Sequence, residues 1–401
     1  MDVATFDRLL EPTGRSALAA ARDLQPTEAK YPACFDRLRK HYPPELVRAA
    51  LDTVMLRERA HVKFSRASEM FFTREALEMA SAEPVSRYRA GRFAAFGTVA
   101  DLCCGIGGDA IGLAAAGHAA VAVDRDPLRL RMAEANLAAY GLGGRFVCDD
   151  ALAADLSDCP AAFADPGRRP GGRRTLSLHD SEPPVAALVG RFTGAFPFGV
   201  KVAPGFPKSE LTDLDAGPEF ISLGGELKEC VLWFGPLRYD EARATVLPGS
   251  HTLVGDPNVA AAVGPVGAFV YDPDPAVTRA GLVGELGHRL GFTQIDPRIA
   301  FLTSDSFIPT PFASAYRLQE VMPFQVRRVG EWLRERGVGR VTVVKRGSPV
   351  EVDEVVSKWK LKGDGHRAVI LTRAADRPVA IIADRVETEP GGPIGPPGGD
   401  A

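Results

Sequence analysis

The chain has 401 residues, enough for two or three domains, and its 45% hydrophobic and 25% charged residues are those of an ordinary globular protein. A formal net charge of −3 excludes a uniformly electropositive nucleic-acid binder, but residues 321–385 hold 14 Lys or Arg against 8 Asp or Glu, a local excess of positive charge. No stretch approaches the apolar length of a membrane-spanning helix. The first ten residues lack the apolar core of an export signal, so the expected compartment is the cytoplasm. The six cysteines form no C-x-x-C pair and the seven histidines show no ligand spacing, so no metal site is expected.

Residues 1–84 read as a helical lead-in. Leu46, Ala50 and Val54 recur at helical spacing, and Thr73 after the Phe71-Phe72 pair suits a helix start. From about residue 95 to 235, short apolar runs alternate with helical patterns, which predicts a doubly wound, mostly parallel sheet in an α/β fold. The runs are 99–103, 119–124, 145–148, 161–164 and 199–203. Asp126-Pro127 starts a helix that Gly141 ends, and Gly224-Gly225 joins runs 220–223 and 227–234 into an antiparallel hairpin. Residues 241–320 are rich in Pro and Gly and read as an extension, with one capped helix over 276–290. Three β-rich runs and a polar helix predict a small α+β module over 321–385. The Pro/Gly-rich tail, 386–401, reads as disordered.

Residues 99–112 hold the strongest functional signal, Val-Ala-Asp-Leu-Cys-Cys-Gly-Ile-Gly-Gly-Asp-Ala-Ile-Gly. An apolar strand runs into Gly105, Gly107 and Gly108 and then into a helix, so a ligand can approach bare backbone amides. Nineteen residues after Gly105, Asp124 ends the next strand, where an acid can accept hydrogen bonds from ribose hydroxyls. Gly105-x-Gly107-x-x-Ala110 also meets the dinucleotide spacing. The charges point elsewhere. Asp101 suits the cationic amino-acid end of S-adenosylmethionine and would repel a pyrophosphate, and Asp109 opens the helix where it would compete with phosphate oxygens.

The Asp-x-x-Cys-Gly-x-Gly-Gly-Asp pattern of residues 101–109 resembles the first motif of class I S-adenosylmethionine-dependent methyltransferases, most of all the trimethylguanosine-synthase-like and bacterial THUMP-like-domain branch. The resemblance continues through Asp124, Asp150-Ala151 and Asp165-Pro166, over roughly residues 60–240. It implies a Rossmann-like catalytic domain over 85–240. Val343-Val344-Lys345-Arg346-Gly347 resembles the core of the THUMP-like domain, expected over 321–385. By the same resemblance Phe72 and Thr73 belong to a lead-in that closes over the cofactor.

In an open α/β sheet ligands gather at the carboxyl ends of the strands, which brings Asp101, the glycine turn, Asp124, Asp150 and Asp165 to one crevice. Asp150, with Asp149 as its neighbouring candidate, suits the exocyclic amine of adenine, and Arg125 can flank the ring. Asp165-Pro166 occupies the corner that holds the target nitrogen in amino-methylating enzymes. The family pattern continues with a second proline and an aromatic. Here Gly167 and Arg168 follow, then Arg169, Arg173 and Arg174. Arginine forks grip phosphate, so this segment, with Lys345 and Arg346 in the basic module, points to a polyanionic acceptor such as structured RNA. Two alternatives stand beside it: a small-molecule or protein methyltransferase, and a non-catalytic nucleic-acid-binding protein that keeps the cofactor fold.

Overall fold

The helical lead-in forms α1 (Val3–Leu10), α2 (Pro12–Asp23), α3 (Tyr31–Leu38), α4 (Pro44–Ala60), α5 (Arg74–Met79) and α6 (Glu83–Ala90). Thr73 caps α5, its hydroxyl accepting from Ala76 N at 3.1 Å. At the other end of α5 the Lys63 ammonium donates to the carbonyls of Leu77 and Ala80, both at 2.8 Å. The computed structural model describes residues 1–168, 177–192, 194–212 and 214–387. It divides the chain into a first unit, Met1–Gly217 with Glu229–Tyr239, and a second, Pro218–Lys228 with Asp240–Ala401. No helix among the described residues is long and apolar enough to cross a membrane.

The first unit contains the expected doubly wound sheet. Strands β1 (Thr98–Leu102), β2 (Ala119–Asp124), β3 (Arg145–Cys148), β4 (Ala161–Ala164) and β7 (Phe198–Val202) are parallel in the order β3-β2-β1-β4-β7. Helices α7 (Gly108–Ala115), α8 (Pro127–Ala139) and α9 (Val185–Arg191) connect them. Between β4 and β7, β5 (Gly167–Arg168) pairs antiparallel with β6 (Ser181–Glu182). The Gly224-Gly225 turn, both residues at positive φ, separates β8 (Gly217–Leu223) from β9 (Glu226–Phe234), and β9 runs antiparallel to β7.

Register makes the strand ends level. Leu102 pairs with Val123 on one side and Ala164 on the other, so Asp124 and Asp165 are each the next residue out. One close helix contact places a cation beneath them. A Cβ on Gly112 would lie 2.7 Å from the Ser86 carbonyl, so only glycine lets α6 pack this tightly on α7. That contact brings Arg89 of α6 against Asp109 of α7. Asn136 of α8, fully buried, ties the lead-in to the glycine turn: it accepts from Phe71 N at 2.7 Å and donates to the carbonyls of Phe71 and Ile106.

The second unit departs from the expectation for residues 241–320. They carry β10 (Ala242–Leu247), β11 (His251–Gly255), β12 (Phe269–Pro273), β13 (Thr293–Asp296), β14 (Ile299–Ser304) and the start of β15 (Ala313–Pro323). These strands are short and separated by Pro and Gly, so the stretch reads as irregular in sequence. The single helix expected over 276–290 is two, α10 (Pro275–Ala280) and α11 (Val283–Leu290), because Gly281 takes φ 89° and ends the first. β8 runs parallel to β10, and β11 antiparallel to it.

A seven-stranded sheet, β13-β14-β12-β15-β18-β17-β16, adds β16 (Val338–Lys345), β17 (Gly365–Ala374) and β18 (Arg377–Val386). Helices α12 (Val326–Glu335) and α13 (Val352–Trp359) cover one face, burying Trp359, Val329 and Leu333 against Val369, Leu371 and Ile382. The expected tail beyond residue 387 lies outside the described residues.

Candidate active-site cleft

Where β1 ends, the backbone turns through three left-handed residues, Cys103 (φ 59°), Gly105 (φ 55°) and Gly107 (φ 82°), before entering α7. A left-handed cysteine is strained, and such strain clusters at functional sites. Gly107 tolerates it and also packs on α8, where a Cβ would lie 3.0 Å from Ala133. The turn is latched by Asp124, whose Oδ2 accepts from Gly105 N at 2.8 Å while Oδ1 accepts from Asp126 N at 2.9 Å. A carboxylate has about four lone-pair positions, so two remain.

A cleft of about 360 Å³ opens over this turn. Gly105, Ile106, Gly108 and Asp109 form its floor. Asp124, Arg125, Asp150 and Leu152 lie at the β2 and β3 ends, Asp165 and Gly167 at the β4 end, and Glu75, Ala76, Met79, Ala80 and Ser81 form one wall. Arg125 reaches Glu182 at 2.6 Å and Arg129 reaches Glu75 at 3.3 Å, all four residues lining the cleft. Cys103 also lines it; burial, with Asp124 and Asp165 nearby, pushes its thiol far above the ordinary value, so it stays protonated.

Beneath the floor lies a cluster of buried charge. Arg89, 2% exposed, pairs with Asp109 and, at 3.2 Å, with Glu229 of β9, and stacks over the Phe163 ring. Lys201 of β7 donates to Asp165 Oδ2 at 2.7 Å, to Ser81 Oγ at 3.1 Å and to the Met79 carbonyl at 3.2 Å. Asp101 is 0% exposed, and neither of its oxygens has a hydrogen-bond partner among the described residues.

Four carboxylates thus face two cations. Burial, with Asp109 and Asp165 alongside, pushes Asp101 well above the usual carboxylate range. Burial also raises Asp109 and Glu229, in each case against the opposing pull of Arg89. Among the described residues the group is short of positive charge, and Asp109 and Asp165 open onto the cleft. A ligand that brings a cationic amine would complete it.

Of the residues singled out in the sequence, Gly105, Gly108, Asp109, Asp124, Arg125, Asp150 and Asp165 line the cleft together. Asp101 and Gly107 act from behind it. Phe72 and Thr73 do not line it: Phe72 is buried with its ring 5.9 Å from Phe64, and Thr73 is used as a cap, so the wall is the turn that follows them. Asp149 is exposed and accepts from Asp150 N at 2.7 Å. Pro166 sits half-buried between Asp165 and β5.

Arg168 begins the basic segment on β5; Arg169, Arg173 and Arg174 lie outside the described residues. In the second unit Arg346 pairs with Asp272 at 2.8 Å, and Lys345 donates to the Val350 carbonyl at 2.9 Å. Sequence reasoning missed Arg89, Lys201 and Glu229. For Lys201 and Glu229 the signal was a charge within or at the edge of an apolar strand run, as in Phe198-Gly199-Val200-Lys201-Val202 and Glu229-Cys230-Val231-Leu232, whereas Arg89 sits among other arginines in the polar helix α6 and carries no such signal.

Comparison with known proteins adds three family-model matches: "RNA cap guanine-N2 methyltransferase" over residues 96–153, "THUMP domain-like" over 313–385, and a domain of unknown function over 2–60. An uncharacterized S-adenosylmethionine-dependent methyltransferase of Mycobacterium tuberculosis, from strains CDC 1551 and H37Rv alike, is 34% identical over 333 residues. The match covers 80% of this chain and 92% of the relative. A crystal structure assigned to a methyltransferase of Porphyromonas gingivalis W83 has the same fold. Its TM-score is 0.74 at 20% identity, over 93% of this chain and 99% of that one.

Proposed function

The chain belongs to the S-adenosylmethionine-dependent methyltransferases, and from that premise we propose that it methylates structured RNA in the cytoplasm, with the cleft of the first unit as active site. S-adenosylmethionine supplies a methyl carbon made electrophilic by its sulfonium. The residues present fit that cofactor. Asp109, on the cleft floor, would hold its ammonium, with the buried Asp101 carboxyl, which has no hydrogen-bond partner among the described residues, behind it; Asp124 would accept from the ribose hydroxyls. Asp150 would take the adenine amine, with Asp149 shaping the turn and Arg125 flanking the ring. Gly105, Gly107 and Gly108 keep the floor open to the ligand, and Phe72 and Thr73 hold the wall.

Asp165 is the residue assigned to the acceptor. Lys201 takes one of its oxygens, and the other has no hydrogen-bond partner among the described residues. That oxygen would accept from the acceptor group, helped by the Pro166 carbonyl, and align its lone pair with the methyl. Methyl transfer is an in-line displacement, so positioning supplies most of the acceleration.

The observation that carries the RNA reading is the arginine-rich sequence that directly follows Asp165-Pro166, with Arg168, Arg169, Arg173 and Arg174 all within nine residues of Asp165. The second unit supports it with a groove of about 660 Å³ between β16 and α13, rimmed by Arg340, Lys360 and His366 over Val341, Val356 and Leu361. Lys345, at the far end of β16, adds positive charge, whereas Arg346 is paired with Asp272. The names of the matching family models, one an RNA cap enzyme, point the same way. The test is calorimetry with S-adenosylmethionine followed by transfer of labelled methyl into total RNA. Binding without label in RNA would move the acceptor to a small molecule or protein.

A further inference from the structure

Lys201 has no part in donor binding or in holding the acceptor as set out so far, yet it sits at the hinge of both. Ala164 of β4 pairs with Val200 of β7, so Asp165 and Lys201 are the next residues along two parallel strands. An ammonium has three N–H groups, and all three are engaged here, by Asp165 Oδ2, Ser81 Oγ and the Met79 carbonyl. None is left for a substrate. Whatever Lys201 does for the reaction, it does through Asp165 and through the cleft wall.

We propose that Lys201 is a positioning residue that holds Asp165 with one oxygen turned to the cleft, and fastens the wall at Met79, Ala80 and Ser81 to that same side chain. The donor wall and the acceptor group are then set by one side chain. This rests on the assignment of Asp165 to the acceptor made above.

The surrounding charges make such a cation necessary. Asp165 faces Asp101 from β1 and Asp109 from α7, against Arg89 from α6, and Arg89 is already shared by Asp109 and Glu229. Burial pulls Lys201 down, but Asp165, Glu229 and Asp109 outweigh it and hold the ammonium above its ordinary value, so the cation persists wherever the enzyme works.

The experiment uses the full chain with Lys201→Met, Lys201→Arg and Ser81→Ala, and reads amide hydrogen exchange at residues 79–82 and the kcat and KM of methyl transfer to total RNA. In Lys201→Met exchange should quicken at least about tenfold, and kcat should fall about 100-fold with KM for RNA nearly unchanged, the scale of a misplaced reacting group. Lys201→Arg should restore part of the rate. A folded Lys201→Met with wild-type exchange overturns the proposal. Should that variant fail to fold, Ser81→Ala decides: its wall must exchange several-fold faster, and wild-type exchange overturns the proposal. If the wild type transfers no methyl to RNA, the RNA reading falls, while exchange still judges Lys201.

Discussion

The two units each carry a network of acids and bases, and the networks are built in opposite ways. In the second unit Asp296 is fully buried, but it accepts from Arg298 N at 3.0 Å and Asp376 N at 2.9 Å. Burial pushes its carboxyl up, yet those backbone donors and the Arg298 charge outweigh it, and the group ends below the usual range. Asp376, held by Arg373 at 2.6 Å and by Arg298, is likewise lowered. Beneath the cleft of the first unit the opposite holds: Asp101, Asp109 and Glu229 are all raised, and neither oxygen of Asp101 has a hydrogen-bond partner among the described residues. An acid saturated with donors holds a fold together. An acid left short of them is incomplete without a ligand.

The largest effect expected from that distinction is at Asp165. Asp165→Ala should abolish methyl transfer, a loss of at least about 10³ in kcat, with cofactor affinity within a few fold. Its proposed work is on the acceptor, and Asp101 and Asp109 remain to hold the donor. Calorimetry beside single-turnover transfer measures both. Wild-type turnover in the variant would put the acceptor elsewhere. Asp124→Ala inverts the pattern: cofactor binding should weaken by roughly 1.5–3 kcal/mol, about ten- to a hundredfold, as charged hydrogen bonds to a ribose disappear. Unchanged affinity would make Asp124 a latch for Gly105 and nothing more.

A subtler effect is expected at the arginine segment. With Arg168, Arg169, Arg173 and Arg174 all changed to Gln, RNA binding should weaken. The slope of log affinity against log salt should flatten by up to about 3, at roughly 0.7–0.9 for each phosphate no longer neutralised. Cofactor binding should be preserved. A wild-type salt slope would exclude phosphate gripping by these arginines and return the acceptor to the small-molecule reading.

The same contrast separates what is legible in sequence from what is not. The glycine turn and Asp124 are legible because a strand, a left-handed turn and an acid at a fixed offset are local chemistry, readable within 26 residues from Val99 to Asp124. The parallel sheet was legible for the same reason, since each run has its own period. Lys201 and Glu229 come from far beyond that stretch, and Arg89 from the helix before it. Only folding shows that they share one charge cluster. As sequence, Lys201 and Glu229 are single charges beside apolar runs, and Arg89 is one of several arginines on a polar helix. The strands of residues 241–320 were hidden differently: their pairing is long-range, as where β12 joins β15 across Val270 and Tyr316, and no local period announces it.

The smallest expected effect is on stability without cofactor, and it tests the contrast most directly. Asp101 is raised, so the folded chain keeps a proton that the unfolded chain releases above about pH 3.9. Its contribution is therefore present at low pH and lost as pH climbs toward the raised value. Asp296 is lowered, so its contribution is present above about pH 3.9 and lost as pH falls below it. Asp101→Asn should accordingly raise the melting temperature at pH 8 by roughly 2–4 °C for each kcal/mol of relieved charge burial, and flatten its decline with pH. Asp296→Asn should lower the melting temperature at pH 7, because one of two backbone amides loses a charged acceptor. Differential scanning calorimetry of the two variants across pH 4–8 measures both signs. If Asp101→Asn is destabilised like Asp296→Asn, Asp101 is a scaffold acid too. The shortage of donors beneath the cleft then no longer marks a ligand site.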